Sequence, residues 1–108
     1  MLIIKHYGGA IFLSKGKEFC IYDELFSVDE KGKRVQDGGV DYNADLVIET
    51  QTKRYRFQEV SPESFWARKL ADYVAEHIHE DTCIDIHDAL DEEAEYFEYG
   101  EFKTERVL

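Results

Sequence analysis

Leu46-Val47-Ile48-Glu49-Thr50-Gln51-Thr52-Lys53-Arg54-Tyr55-Arg56-Phe57-Gln58 is the stretch on which the fold turns. Its two ends, residues 46–51 and 54–58, are rich in β-branched and aromatic residues, and Thr52-Lys53 lie between them. The pattern reads as a β-hairpin with Thr52-Lys53 at its tip. Along a strand successive side chains point to opposite faces. Tyr55 and Phe57 therefore share one face, while Arg54, Arg56 and Gln58 share the other. The first face belongs to a core. The second, with Lys53, reads as a small basic patch on an exposed surface, a guard for an edge strand.

Moving toward the start of the chain, residues 2–7 form an apolar run closed by Gly8-Gly9 and are expected to make a first strand. Residues 10–14 and 18–22 flank Lys15-Gly16-Lys17, which reads as a hairpin turn. Residues 25–28 and 33–36 flank Asp29-Glu30-Lys31-Gly32, a second signal of the same kind. Asp37-Gly38-Gly39 opens a loop to about residue 45. Asp41, Asn43 and Asp45 are spaced like the opening of a calcium loop. Leu46 stands where that loop needs glycine, however, and Thr52 where it needs glutamate, so calcium binding is excluded.

Moving toward the end, Ser61-Pro62-Glu63 is a helix start: a capping hydroxyl, a proline in the first turn and an acid near the positive end of the dipole. Trp66, Leu70, Tyr73, Val74, His77 and Ile78 follow at helical spacing, with Ala67, Ala71 and Ala75 widening the apolar face. A break is expected at Asp81-Thr82. Ile84 and Ile86 then belong to a short strand or lead into a helix. Residues 88–99 read as a second, acidic helix with Leu90, Ala94 and Phe97 inward and Gly100 as its stop. Residues 102–108 are a last strand or a tail. The expected architecture is α+β: an antiparallel meander of hairpins with one long and one shorter acidic helix on one face.

A chain of 108 residues is one domain, 1–108, and at this size it folds without disulfide or metal staples. Its two cysteines, Cys20 and Cys83, are too few for a disulfide scaffold and fit a reducing compartment. The start has no basic leader and no long apolar segment, so a cytoplasmic protein is expected, in a host cytoplasm if a phage encodes it. The formal net charge of −11 disfavours direct binding to nucleic acid or to an anionic membrane, since both attract positive surfaces. Monomer and homodimer are both compatible with the sequence.

The charge is unevenly placed. Residues 1–75 hold 12 acids and 11 bases, a net of −1, and residues 76–108 hold 12 acids and 2 bases, a net of −10, which together give −11. On the expected second helix Asp88, Asp91, Glu92, Glu95 and Glu98 follow at steps of three and four, a stripe with no lysine or arginine between its members. Like charges at that spacing cost roughly 0.2–0.5 kcal/mol per pair. Glu95 and Glu98 would also sit at the unfavourable end of the helix dipole. Successive helical turns are about 5.4 Å apart and phosphates on one DNA strand ~3.4 Å apart. Staggered carboxylate rows therefore approach the charge density of a nucleic-acid backbone.

These features lead to a non-enzymatic acidic binding or inhibitor protein that blocks the groove of a basic nucleic-acid-handling protein. Asp88, Asp91, Glu92, Glu95 and Glu98 stand in for phosphates, Glu76, Glu80, Asp81 and Asp85 extend the surface, and Tyr96 and Tyr99 add contact area. DNA-mimicking anti-CRISPR and anti-restriction proteins share this size and charge, which is an analogy of class. Three alternatives remain open. The stripe could be only a solvated face. The protein could neutralise a basic partner as an immunity or adaptor protein, without mimicry. His79, Cys83 and His87, at four-residue steps, could hold zinc with Asp85 or Asp88, although the break at Asp81-Thr82 and the lack of a common zinc spacing argue against it. No cofactor is expected. No serine occupies a nucleophile elbow, neither cysteine has a nucleophile's context and no glycine run builds a phosphate loop, so catalysis has no support.

Overall fold

In the computed structural model the described residues are 1–6, 9–14, 16–60, 66–86 and 102–107. The hairpin expected at the centre of the sequence is present. β4 (Asp41–Thr50) and β5 (Lys53–Val60) pair antiparallel, and Gln51 and Thr52 lie between them. Tyr55 and Phe57 are buried as alternation requires. The tip is held by Thr50, whose Oγ1 accepts from the Lys53 N–H at 3.1 Å and donates to the Lys53 carbonyl at 3.2 Å. That side-chain turn explains a hairpin without glycine or asparagine at its tip.

Around this hairpin the arrangement departs from the meander. β3 (Phe19–Val28) is one continuous ten-residue strand that pairs with all of β4, from Phe19 against Thr50 to Val28 against Asp41. The hairpin expected around residues 29–32 is reduced to a bridge between Val28 and Arg34 and a turn closed by the Asp29 side chain, which accepts from the Lys31 and Lys33 N–H groups at 2.9 Å. The loop expected to reach residue 45 ends at β4, which begins at Asp41. Gly39 lies so close to the end of β3 that a Cβ there would meet the Ser27 Cβ at 2.6 Å.

The hairpin expected around Lys15-Gly16-Lys17 is also corrected. β1 (Leu2–His6) and β2 (Gly9–Leu13) pair with each other, and the chain then leaves that sheet for β3 in the other. The chain changes sheets between Leu13 and Phe19, because the Ile11 and Leu13 side chains are already committed to the core opposite Ile4 and Leu2.

Among the described residues the strands form two sheets, one in the order β2-β1-β6 and one in the order β3-β4-β5-β7. β6 (Thr82–Asp85) lies parallel to β1, and β7 (Phe102–Arg106) antiparallel to β5. Residues 82–85 are therefore a strand, and so are residues 102–106. α1 (Trp66–His77) packs on β3 and β4. Trp66, Ala67, Leu70 and Val74 are buried, with Tyr73 and Ile78 packed beside them. One core joins these residues to Leu2, Ile4, Ile11 and Leu13 from the first sheet and to Leu46, Ile48, Tyr55 and Phe57 from the second.

The expected class of a long and a shorter helix on one sheet is thus overturned. The described chain is mostly strand, in two sheets, with a single helix of 12 residues. The physical reason is visible in β6 and β7. Ile84 serves the core as a strand residue beside Ile4, and Phe102 stacks into the second sheet. Two places where the sequence left strand open beside helix or tail are thereby strands, one in each sheet. Residues 88–99, read as the second helix, and the start expected at Ser61-Pro62-Glu63 lie outside the described residues. No helix of the described residues is long and apolar enough to cross a membrane.

Candidate functional site: two charged surfaces of opposite design

The residues singled out from the sequence divide into two groups. Asp88, Asp91, Glu92, Glu95, Glu98, Tyr96, Tyr99 and His87 lie outside the described residues. Glu76, Glu80, Asp81 and Asp85 fall within them and run from the last turn of α1, through the following turn, into β6. All four are exposed. The helical ladder ends over residues 78–80, where the Ile78 N–H donates to the Val74 carbonyl and the Glu80 N–H to the His77 carbonyl. The turn that follows projects Glu80 and Asp81 outward. The Glu80 carboxylate lies 3.1 Å from His77 Nδ1. Asp81 is paired with the Met1 amino group, and that hydrogen bond holds its carboxyl below the usual range. Asp85 alternates with Ile84 in β6, so it faces outward opposite Lys5 of β1.

Of the zinc alternative, His87 and Asp88 lie outside the described residues, and the helical alignment of the first two ligands is absent. α1 ends at His77, His79 is in the turn and Cys83 is in a strand, so the two residues do not share a helix face. Among the described residues no group of three or more His, Cys, Asp and Glu side chains could hold a metal ion.

The second charged surface was missed as a unit. On the outer face of the four-stranded sheet, Arg56 reaches three carboxylates. Its Nε donates to Glu105 at 2.8 Å, its Nη1 to Asp45 at 2.8 Å and its Nη2 to Glu24 at 3.2 Å. Arg54 donates to Glu49 at 2.9 Å and to Glu105 at 3.4 Å. Arg34, over the Phe26 ring at 4.4 Å, closes the group from the β3–β4 connection, 3.9 Å from Asp45 and 4.0 Å from Glu24.

Strand register explains the assembly. Glu24 and Asp45 are directly opposite across β3 and β4, a repulsive pairing for like charges. Glu49, Arg54 and Glu105 form a row across β4, β5 and β7. The β4–β5 register slips by one residue between Leu46 and Ala44, and Asp45 sits at that irregularity. Asp45 is only 2% exposed and Arg56 only 9%. A buried carboxylate is tolerated when charge-assisted hydrogen bonds replace its water. Burial alone would lower the Arg56 pKa, but the hydrogen bonds to Glu105, Asp45 and Glu24 prevail and raise it above its ordinary value. Glu105 is held below the ordinary carboxylate range by its bond to Arg56, and Glu49 by its bond to Arg54.

The basic patch expected on an exposed edge is therefore something else. β5 is an inner strand because β7 pairs beyond it, and both arginines are spent on carboxylates. The signal was in the sequence: Asp45 and Glu49 alternate around Val47 as Arg54 and Arg56 alternate around Tyr55, placing opposite charges on one face of adjacent strands. Glu24 and Glu105 gave no comparable sign, because their partners depend on pairings with distant strands.

No protein-family model, curated protein or solved structure matches the chain.

Proposed function

We propose that this chain is a non-enzymatic binding protein whose acidic last third occupies a basic groove on a nucleic-acid-handling partner, with its carboxylates standing where phosphates would lie. The observation that carries this reading is the contrast between the two charged surfaces. On the four-stranded sheet the acids are matched by Arg34, Arg54 and Arg56 and contribute little outward field. From Glu76 onward the chain has 12 acids against Lys103 and Arg106 alone. Glu105 is taken by the sheet network, whereas Glu76, Glu80, Asp81 and Asp85 are exposed. Field of one sign over a limited surface attracts and orients a partner of the other sign.

Asp88, Asp91, Glu92, Glu95 and Glu98 carry the phosphate-like role in this reading, and Tyr96 and Tyr99 the apolar contact. Cytoplasm is the compartment in which such a partner would be met. Immobilised protein incubated with lysate of the source cell should retain a nucleic-acid-handling protein, and duplex DNA should displace it. A retained partner that duplex DNA fails to displace would replace mimicry with simple charge neutralisation. Capture that survives reversal of the acidic residues would remove the acidic surface from the account altogether.

A further inference from the structure

A cleft of about 480 Å³ opens where the chain crosses between the sheets. This is within the usual range for small-molecule sites, roughly 300–1,000 Å³. One side is the crossing itself, where the Lys17 N–H donates to the Ser14 carbonyl at 3.2 Å. Gly16 there has φ of +82°, a left-handed conformation that suits glycine. The other side is the β4–β5 tip, held by the Thr50 hydroxyl and by the Val107 N–H, which donates to the Thr52 carbonyl at 3.0 Å. Each side is held by hydrogen bonds within the chain, which favours a cleft formed before any ligand arrives.

Its lining combines two chemistries. Leu13 and Tyr55, both nearly fully buried, form the floor where the cleft meets the core, and the accessible apolar surface comes from half-buried Phe19 and from Phe12, 51% exposed. Lys17 and Lys53 come one from each turn, and both are exposed. Neither has a carboxylate within ion-pair distance among the described residues, in contrast to Arg34, Arg54 and Arg56. Glu18 is the one acid of the lining. The cleft is thus locally cationic on a chain of net charge −11.

We infer that this cleft binds a small amphipathic anion, an aromatic ring bearing a sulfonate, carboxylate or phosphate. The ring lies against Phe12, Phe19 and Tyr55, where aromatic contact adds to burial. The anionic group lies between Lys17 and Lys53. This site is separate from the acidic surface and does not depend on its role.

Fluorescence titration with anilinonaphthalene sulfonate tests the inference, with phenylnaphthylamine as the uncharged analogue. The sulfonate should saturate one site, and its amide chemical-shift changes should fall on residues 12–19 and 50–55. The double variant K17A/K53A should bind the sulfonate about five- to ten-fold more weakly, the effect of two exposed ionic contacts, and should keep its affinity for phenylnaphthylamine. That retained affinity also reports an intact cleft. K31A/K33A makes the same change in net charge on a different turn and should leave both probes unaffected. F12A should weaken both probes. The inference is overturned by no saturation at millimolar sulfonate, by shift changes elsewhere, by unchanged sulfonate affinity in K17A/K53A, or by an equal loss in K31A/K33A.

Discussion

Arg56 shows how much one side chain can organise on a sheet surface. It neutralises two carboxylates, Glu24 and Asp45, that strand register forces opposite each other, and ties β3 and β4 to β7 through Glu105. Removing it takes from the buried Asp45 its 2.8 Å partner and leaves Arg34 at 3.9 Å. Arg56→Met is expected to destabilise the protein by about 3–5 kcal/mol, read from chemical denaturation. Arg56→Lys should recover only part of that, because a single ammonium cannot address three carboxylates in the fork geometry of a guanidinium. His6 makes a different prediction. Its ring lies 4.0 Å from that of Phe102 and 5.0 Å from that of Phe57. Burial lowers its pKa below 6.5, and the nearby Asp85 charge only partly opposes this. The unfolded chain therefore takes up a proton at higher pH than the folded one does. The His6 contribution to stability is full above pH 6.5 and is lost as pH falls through the window between that value and the lower folded pKa. His6→Phe should remove this part of the pH dependence of Tm while leaving the fall at lower pH, where carboxylates such as Glu105 protonate. These roles were only half legible. The parity of Arg54 and Arg56 could be read from the sequence, but that β5 is flanked on both sides depends on β7, which pairs from some fifty residues away.

At the scale of elements, legibility followed the distance over which partners are chosen. The β4–β5 hairpin is local, and alternation located both its strands and its buried face. The crossing between Leu13 and Phe19 carries the same turn chemistry as a hairpin, and nothing within a few residues of it reveals that β2 already has β1 as its neighbour. The apolar face of α1 was readable from spacing alone. Its anchoring to the sheet was not. Asp23 of β3 receives a hydrogen bond from the Ala67 backbone in the first turn of α1. Burial raises the Asp23 pKa, and that hydrogen bond offsets it in part. A carboxylate at this position acts like a cap supplied from another element. Asp23→Ala should cost about 1 kcal/mol in a denaturation experiment. Asp23→Asn keeps an acceptor without the buried charge, and should stay within about 0.5 kcal/mol of the parent protein.

For the molecule as a whole, the sequence disclosed the charge distribution better than the architecture. Composition and charge sums require no knowledge of pairing, so the concentration of acids after residue 75 stands unchanged. The expected fold class did not survive, since the described residues are mostly strand in two sheets with one helix. Short apolar pairs such as Ile84 and Ile86 suit strand and helix alike, and pairing with β1 decided for strand at Ile84, while β6 ends at Asp85, before Ile86. The structure also sharpened what the charge asymmetry means, since Arg34, Arg54 and Arg56 are engaged with Glu24, Asp45, Glu49 and Glu105 on the sheet, and of these only Glu105 belongs to the last third. The central claim is that this predominantly acidic surface is what a basic partner binds. The most direct test is the affinity of the captured partner for D91K/E92K/E95K and for E76K/E80K, measured across a salt series. The account predicts that the triple reversal abolishes binding, that the double reversal weakens it, and that the parent affinity falls steeply with salt. Binding retained by the triple variant with an unchanged salt dependence would contradict it.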